Sequence, residues 1–342
     1  MAVVDPGVPG AAISLAICTY NRSRMLERTL KSIAAQQVDP AAIWSVIVVD
    51  NRSTDDTKSV VERWQRSDSI PGLTYTFEAR QGVKFARQRA IRDTGAPLIA
   101  YVDDDCTLAP NWIREALTFM RDHPRAGAVG GRIHLDWEVP PADIFQRSAR
   151  VFGLRDEGPV PLQLPATGRT YLGGAGLVLR REAVAASGWL SDGILPGRTG
   201  HKRLAGEDTE LVLRIRSAGY ELWYNPATEL HHHVPEASLS FPHLCAMYQG
   251  IGAQWPILSV VAENHPPESV WGLGPAVSAT ALYAWRLARS AYAVARRRRA
   301  AEQRLALSYA WGHLLGAWSF VFQHGRGRHL LVERWRVRTA TR

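Results

Sequence analysis

The sequence predicts an α/β fold in which a mostly parallel sheet is flanked by helices on both faces. Short apolar runs alternate with amphipathic stretches over the first hundred residues, which is the pattern of consecutive strand–helix–strand units. The chain has 342 residues and is 46% hydrophobic, which is enough for one large core and an appended region. We therefore expect one α/β domain followed by a C-terminal helical extension.

Four strands and three helices are predicted in the N-terminal part of the chain. The strands are continuous apolar runs, as in a sheet covered on both faces, and the helices carry an inward apolar stripe. The predicted strands span residues 13–18, 44–49, 73–77 and 97–102. The first predicted helix spans residues 23–36 and the third spans residues 85–93. The second follows the strand 44–49, with Thr54, Asp55 or Asp56 as its N-cap.

The middle of the chain is less regular. Strands are predicted over 127–135 and 171–179, and the glycines of the second either admit a ligand to the backbone or mark a bulge or tight packing. The Pro-rich, charged stretch 136–168 between them is interpreted as a mobile insertion. A helix is predicted from Glu207 to Gly219, and a strand over 221–230 that ends in three histidines, 231–233.

Three consecutive aspartates, Asp103, Asp104 and Asp105, follow the fourth predicted strand directly. In an extended chain Asp103 and Asp105 point the same way, so they would share one hard divalent cation while Asp104 faces elsewhere. The alternative is an Asx turn or a helix cap. Ligands of parallel sheets bind beyond the carboxyl ends of the strands, so Thr19, Asp50 and Asp103 are expected to converge there.

Two further groups are candidates for chemistry. Glu207 and Asp208 open a predicted helix, where they serve either as dipole partners of the helix or as a general base fixed near the ligand edge of the sheet. Alternation along the last strand favours His232 as a metal ligand, with His231 second. No phosphate-binding P-loop, dinucleotide-binding glycine motif or nucleophile elbow occurs in the sequence.

Five segments resemble, in order, the successive motifs of family 2 glycosyltransferases of the GT-A fold, over about residues 13–240. They are Ile17-Cys18-Thr19-Tyr20-Asn21-Arg22, Val48-Val49-Asp50-Asn51-Arg52-Ser53, Tyr101-Val102-Asp103-Asp104-Asp105, Gly206-Glu207-Asp208 and the histidines at 231–233. The resemblance implies a Rossmann-like sheet and an inverting transfer of a sugar from a UDP-, GDP- or dTDP-sugar. It also implies Mn²⁺ or Mg²⁺ as the cofactor.

The same resemblance implies a role for each matching residue. Asp208 would be the catalytic base, with Glu207 beside it on the acceptor side. The donor would be bound by Thr19, Tyr20, Asn21, Asp50 and Ser53 around nucleobase and ribose, and by Gly82, Arg87, Asp103 and Asp104 near the diphosphate. The metal ligands would be Asp105, Asp103 and His232, of which Asp105 is the more direct. Gln88 stands where the family usually has Asn.

The three cysteines are widely spaced and set among apolar residues, which offers no disulfide framework and no zinc motif and fits a reducing cytoplasm. The first twelve residues are small and Pro/Gly-rich, without the features of a secretory signal, and are expected to be flexible. The catalytic domain is placed at 13–240 and the helical region at 241–342. We therefore expect a cytoplasmic protein that is peripheral on the inner face of the cell membrane.

The C-terminal region is basic and aromatic, and most of the net charge of +9 comes from its arginines. The stretch 276–295 contains Arg286 and Arg289, and the stretch 305–322 is only about as long as the lower limit for a spanning helix. Tryptophans and tyrosines flanked by arginines fit interfacial helices on an anionic membrane surface. The alternative is a helical subdomain packed on the catalytic domain. No nucleic-acid partner is expected, because no reader fold accompanies the arginines.

The function expected from the sequence is transfer of a sugar to a glycan or polyprenyl-linked acceptor in cell-surface or exopolysaccharide synthesis. Two alternatives remain open at this level. One is a sugar-phosphate nucleotidyltransferase, which shares a similar architecture but has a Gly-rich, basic N-terminal signature that is missing here. The other is a non-catalytic carbohydrate-binding or assembly protein that retains the fold.

Overall fold

The computed structural model describes residues 8–168, 170–195, 197, 206–263, 273–295 and 300–322. Within these residues nine strands form one sheet. They are β1 Ile13–Thr19, β2 Trp44–Asp50, β3 Leu73–Phe77, β4 Leu98–Asp103, β5 Cys106–Leu108, β6 Ala126–Trp137, β7 Leu162–Gln163, β8 Leu177–Arg180 and β9 Glu221–Val234. The order across the sheet is β3-β2-β1-β4-β8-β6-β9-β5, and β7 pairs with β9.

Eleven α-helices accompany the sheet in the described part of the chain. They are α1 Ser23–Ala34, α2 Thr57–Ser67, α3 Val83–Asp93, α4 Trp112–Asp122, α5 Asp143–Arg147, α6 Arg181–Ser187, α7 Trp189–Asp192, α8 Glu207–Ser217, α9 Phe241–Glu263, α10 Leu273–Ala295 and α11 Ala300–Phe322. On one face of the sheet Leu30 of α1 and Ile113 of α4 are buried in the core. On the other face Ala90 of α3 and Leu211 of α8 are buried in a second cluster.

The N-terminal half of the sheet is parallel, as predicted. Strands β3, β2, β1 and β4 lie side by side in parallel pairs, and α1, α2 and α3 connect successive strands. The second half is mixed, because β8 is antiparallel to β4 and β6, whereas β6 and β9 are parallel. The predicted α/β class with helices on both faces is confirmed.

Three predictions from the middle of the chain are corrected. The strand expected over 171–179 is shorter, because the glycine-rich residues 173–176 lie in a loop and pairing begins at Leu177. The three histidines do not follow the last strand but lie within β9, which pairs with β5 and β6 as far as His232 and Val234. The stretch 136–168 is held in place by α5 and by buried Phe145 and Phe152. The two buried phenylalanines could not be recognised from the sequence because the residues around them are mostly charged, polar or proline.

The first C-terminal helix, α9, packs on α8 of the α/β part of the chain. Leu258 of α9 and Leu213 of α8 share a buried cluster. Glycines let α9 and α11 meet at backbone distance, since a Cβ atom built on Gly252 would lie 2.1 Å from the Tyr309 carbonyl oxygen. Among the described residues no helix combines the length and the apolar character needed to cross a membrane. The arginine clusters at 296–299 and 326–342, like residues 1–7, lie outside the described residues.

Candidate active site

The carboxyl ends of β1, β2 and β4 meet at one edge of the sheet. Thr19 is the register partner of Asp50, and Cys18 is the register partner of Asp103. The predicted convergence of the three strand ends is therefore confirmed, and it follows from parallel pairing alone.

A hydrogen-bond network joins the loops that follow β1 and β2. Asp50 is buried, and its carboxylate accepts hydrogen bonds from the Ser53 backbone N–H at 2.7 Å and from the Tyr75 hydroxyl at 2.8 Å. The Asn21 backbone N–H donates to Ser53 Oγ at 2.9 Å. Four of the five residues predicted around nucleobase and ribose are thus neighbours, and the fifth, Tyr20, is exposed beside them.

The side chain of Asn51, which follows β2, forms hydrogen bonds with the segment that precedes α3. Asn51 is buried, and its Oδ1 accepts a hydrogen bond from the Gly82 N–H at 2.7 Å while its Nδ2 donates to the carbonyl oxygen of Arg80. Gly82 has φ 137°, a conformation that residues with a Cβ atom rarely adopt. This contact sets the point at which α3 begins and hence the position of Arg87.

The aspartate run does not behave as an extended strand. Strand β4 ends at Asp103, and the chain turns at Asp104 and Asp105, so the two-residue alternation assumed from the sequence does not apply. Arg22 Nη1 lies 3.1 Å from Asp104 Oδ1 and 2.6 Å from Asp105 Oδ2. Asp104 and Asp105 therefore share the Arg22 guanidinium in this structure, whereas Asp103 pairs with Arg87.

Asp105 and His232 face each other across the β5–β9 pair. His232 Nε2 lies 3.1 Å from Asp105 Oδ1, an oxygen that is buried without a well-directed hydrogen bond from the described residues. His232 Nδ1 lies 2.8 Å from the Phe152 carbonyl oxygen, so the Nδ1–H donates there and Nε2 is turned toward the carboxylate. An imidazole nitrogen and carboxylate oxygens form a donor set that fits Mn²⁺ and, through its oxygens, Mg²⁺.

The pKa values of Asp104, Asp105 and His232 are shifted in different directions. Burial raises the pKa of Asp104 to about 7. Burial also opposes the charge on Asp105, but His232 and Arg22 more than offset it and hold the pKa of Asp105 well below its usual range. Burial lowers the pKa of His232, and Asp105 overcomes this and raises it to about 9. Without a metal, His232 and Asp105 therefore form an ion pair at neutral pH.

This ion pair predicts a specific dependence of stability on pH in metal-free buffer. The pKa of folded His232 lies above the ordinary value, so its contribution is complete below about pH 6.5 and is lost as pH rises through about 9. The pKa of Asp105 is lowered, so its contribution is present at neutral pH and is lost only in acid. A rise from 6.5 to about 9 corresponds to at most about 3 kcal/mol.

The measurement is urea unfolding with EDTA, for the unaltered protein and for His232→Gln. We expect the free energies of unfolding to differ most near pH 6.5 and to converge toward pH 10, above the raised pKa. A difference that stays constant over this range would show that His232 stabilises the fold by packing and by its hydrogen bond to Phe152, and not through the ion pair.

A buried guanidinium connects the aspartate run with the start of α8. Arg87 Nη1 lies 2.8 Å from Glu207 Oε1, and Nη2 lies 3.2 Å from Asp103 Oδ1. Asp208 Oδ2 is 3.9 Å from Nη1, and the guanidinium stacks over the ring of Tyr101. Burial alone would lower the pKa of Arg87, but Glu207, Asp103 and Asp208 together raise it. The guanidinium therefore keeps its charge although it is shielded from water.

Glu207 and Asp208 are neighbours in sequence but differ in exposure. The Glu207 side chain is 5% exposed and is directed at Arg87, whereas the Asp208 side chain is 21% exposed. Asp208 Oδ1 accepts a hydrogen bond from the Thr209 N–H at 2.7 Å, which leaves Oδ2 available. Of the two carboxylates at the helix start, Asp208 is the one that a substrate can reach.

The glycine-rich loop before β8 lies against this group. A Cβ atom on Gly174 would lie 2.5 Å from Arg87 Nη2 and 2.8 Å from Asp208 Oδ2. Of the two roles predicted for these glycines, ligand access or tight packing, the structure shows tight packing against charged side chains at Gly174.

A cavity of about 350 Å³ opens beside Asp105, on the side of α1. Its lining includes Asn21, Arg22, Asp55, Asp105 and His233. It borders the aspartate run and does not reach Asp208. The cavity is lined by Asp105, whereas the Arg87 cluster contacts Asp103.

Sequence reasoning did not assign a role to two side chains of this site. Arg22 pairs with two of the three aspartates, and Tyr75 fixes the carboxylate of Asp50. Arg22 stands within the first motif, so its position was a usable signal. Tyr75 gave none, because a tyrosine in a strand is ordinarily a packing residue.

Comparison with known proteins identifies the family to which the chain belongs. Residues 14–186, just over half of the chain, match the family model described as glycosyl transferase family 2. The chain is 24% identical over 235 residues to glucosyl-dolichyl phosphate glucuronosyltransferase of Haloferax volcanii, covering 68% of this chain and 72% of that protein. It is 28% identical over 233 residues to succinoglycan biosynthesis protein ExoM of Rhizobium meliloti, covering 67% and 70%.

A solved structure shares the fold. The mannosyltransferase PcManGT from Pyrobaculum calidifontis, solved in complex with GDP-Man and Mn²⁺, aligns with a TM-score of 0.56 at 20% identity, over 93% of this chain and 90% of that chain. The predicted GT-A architecture is thus confirmed. The family match, the relatives and the shared fold lead to the same conclusion: the chain is a glycosyltransferase and belongs to glycosyl transferase family 2.

Proposed function

We propose that this glycosyltransferase is metal-dependent and inverting, and moves a sugar from a UDP-, GDP- or dTDP-sugar to a hydroxyl group of its acceptor. The observation that carries the proposal is the Arg87 cluster. Its contacts bring Asp103 of the aspartate run and Asp208 of α8 to one guanidinium, although they are distant in the sequence. A donor-binding carboxylate and a reachable base thus lie side by side.

In this proposal Asp208 accepts the proton of the attacking hydroxyl, because it is the exposed carboxylate of the pair. Glu207 holds Arg87 in place, and Arg87 keeps a positive charge beside the departing diphosphate. Attack from the face opposite the leaving group inverts the anomeric carbon.

The metal in this proposal is Mn²⁺ or Mg²⁺, held by Asp105, Asp103 and His232. Support comes from the buried Asp105 oxygen that faces His232 and from the ring orientation set by Phe152. When bound, the ion supplies positive charge that stabilises the leaving nucleoside diphosphate. Arg22 now neutralises Asp104 and Asp105, so donor and metal must displace it from Asp105.

A thermal-shift panel of nucleotide sugars with and without Mn²⁺ tests the donor and the metal together. One class of donor should raise the Tm only with Mn²⁺, since a ligand at 100 times its Kd adds about 2.7 kcal/mol to the free energy of unfolding. Asp105→Asn should abolish the metal-dependent part, and Asp122→Asn, at a half-exposed position on α4, should keep it. An equal shift in Asp105→Asn would remove Asp105 from the metal site.

The acceptor proposed is a glycan or polyprenyl-linked sugar of cell-surface or exopolysaccharide synthesis. The support comes from the names of two relatives. One is a glucosyl-dolichyl phosphate glucuronosyltransferase, and the other is a succinoglycan biosynthesis protein. Release of free sugar from the donor with Mn²⁺, without acceptor, would separate an active transferase from a non-catalytic protein of the same fold.

We also propose that α10 rests on the anionic, cytoplasmic face of the cell membrane, where lipid-linked acceptors occur. Four large apolar or aromatic side chains of this helix are exposed, with relative exposures of 60% for Val277, 46% for Trp285, 48% for Leu287 and 64% for Tyr292. The guanidinium groups of Arg286 and Arg289 lie 4.8 and 4.7 Å from the centre of the Trp285 ring. Aromatic rings beside arginines suit a headgroup region.

Flotation with vesicles of phosphatidylcholine alone and with added phosphatidylserine tests this surface. The full chain should float with the anionic vesicles only, and Trp285→Ser with Tyr292→Ser should weaken binding about tenfold or more because apolar area is lost. An active protein that stays with neither vesicle would contradict the membrane proposal and leave the proposed chemistry intact.

A further inference from the structure

A second group of ligating side chains lies on β6 and β9, outside the candidate active site. His134 and Asp136 alternate on β6, and Glu229 and His231 alternate on β9, so each pair projects from one face of its strand. His134 and His231 are register partners in the parallel β6–β9 pair. His232, the neighbour of His231, projects to the opposite face. The group is therefore separated from the Asp105 site by the sheet itself.

Contacts within the group are close. His134 Nε2 lies 2.6 Å from Glu229 Oε1, and His231 Nδ1 lies 2.9 Å from Asp136 Oδ1. The two imidazole rings stack with their centres 4.9 Å apart. One ligand atom from each of His134, Glu229 and His231 falls within 4.8 Å of the others. Two imidazoles and one carboxylate thus lie close enough together to reach a single ion.

We propose that His134, His231 and Glu229 bind a divalent transition-metal ion, with Zn²⁺ as the best match. Two histidines and one glutamate are the ligands of an open zinc site, in which water or another ligand takes the fourth position. Tetrahedral zinc with bonds of about 2.0–2.1 Å requires ligand atoms about 3.3 Å apart. The three side chains are 39–45% exposed, so rotation about their side-chain bonds can bring the ligand atoms together.

The hydrogen bonds of the group fit the same interpretation. The ion would take the place of the hydrogen bond between His134 Nε2 and Glu229 Oε1. The His231 tautomer that donates its Nδ1–H to Asp136 has its lone pair on Nε2, the atom that would bind the metal. A carboxylate behind a metal-bound histidine orients the ring and raises its basicity. Asp136 is therefore a positioning residue of the proposed site.

The choice of metal separates this site from the one at Asp105. Imidazole nitrogens favour Zn²⁺, Co²⁺ and Ni²⁺, whereas a group rich in carboxylates favours Mg²⁺ and Mn²⁺. An ion at His134 and His231 would link β6 to β9 at a point one residue from His232. Bound zinc would thus stabilise β9, the strand that carries His232 of the candidate active site.

The test is a Co²⁺ titration of the tag-free full chain, followed by visible absorption, with Zn²⁺ as the competitor. Four-coordinate Co²⁺ absorbs far more strongly than the aquo ion, so the signal reports the site without any enzyme assay. We expect one intense Co²⁺ spectrum that Zn²⁺ removes. His134→Gln and His231→Gln should each weaken binding more than tenfold, and Asp136→Asn should weaken it by about 10–100-fold.

Two variants serve as controls. His123→Gln removes an imidazole that stacks on Phe119 elsewhere in the fold, and Asp105→Asn alters the other candidate metal site; both should keep the spectrum. Circular dichroism without metal checks that each variant is folded, and Glu229→Gln replaces any variant that is not. The proposal is overturned if the spectrum survives in His134→Gln and His231→Gln, or if it disappears in Asp105→Asn.

Discussion

Replacing Asp208 by Asn is expected to lower kcat by about 10²–10⁴-fold, the usual contribution of a positioned general base, while donor affinity stays nearly unchanged. Asparagine keeps the size of the side chain and an oxygen that can accept the Thr209 N–H, so the start of α8 should keep its shape. Only the ability to accept a proton is removed. Steady-state kinetics and calorimetric titration of the donor measure the two quantities separately.

The matched control is Glu182→Gln in the first turn of α6, where the carboxylate is 67% exposed and its nearest cation, Arg180, is 4.0 Å away. Its kcat and donor affinity should equal those of the unaltered protein. If Asp208→Asn loses donor affinity to the same extent as kcat, Asp208 binds the donor and another group is the base.

Replacing Arg87 by Met is expected to lower the free energy of unfolding by about 3–5 kcal/mol, because it removes the buried positive charge that faces the Glu207 carboxylate. Glu207 is 4% exposed and its pairing with Arg87 is the closest contact of the cluster. Methionine is similar in length to arginine and fills much of its volume. The loss of unfolding free energy therefore measures the removal of the charge more than the creation of a cavity. Urea unfolding near neutral pH measures it.

Two comparisons sharpen this prediction. Arg63→Met removes a pair with Glu27 whose side chains are 54% and 44% exposed, and it should cost about 1 kcal/mol or less. Adding Glu207→Gln to Arg87→Met also removes the buried negative charge that faced Arg87 and should restore part of the stability. If Arg87→Met is no more harmful than Arg63→Met, the buried cluster does not depend on this guanidinium.

Much of the fold could be predicted because local patterns and global packing agree. The strands β1 to β4 are apolar runs of the right length, and parallel pairing then fixes which residues meet at the carboxyl edge, as Thr19 and Asp50 do. Prediction was weaker in the middle of the chain, where Phe145 and Phe152 anchor a segment of charged composition. Sparse anchors of this kind have no periodicity that a sequence can reveal.

The sequence by itself determined the parallel half of the sheet, the family and the set of carboxylates and histidines available for chemistry. It did not determine how their charges are paired. Arg87 and Glu207 are 120 positions apart, and Arg22 and Asp105 are 83 apart, so neither contact follows from spacing along an element. Charges attract through space, and only the tertiary structure decides which cation lies within reach of which carboxylate.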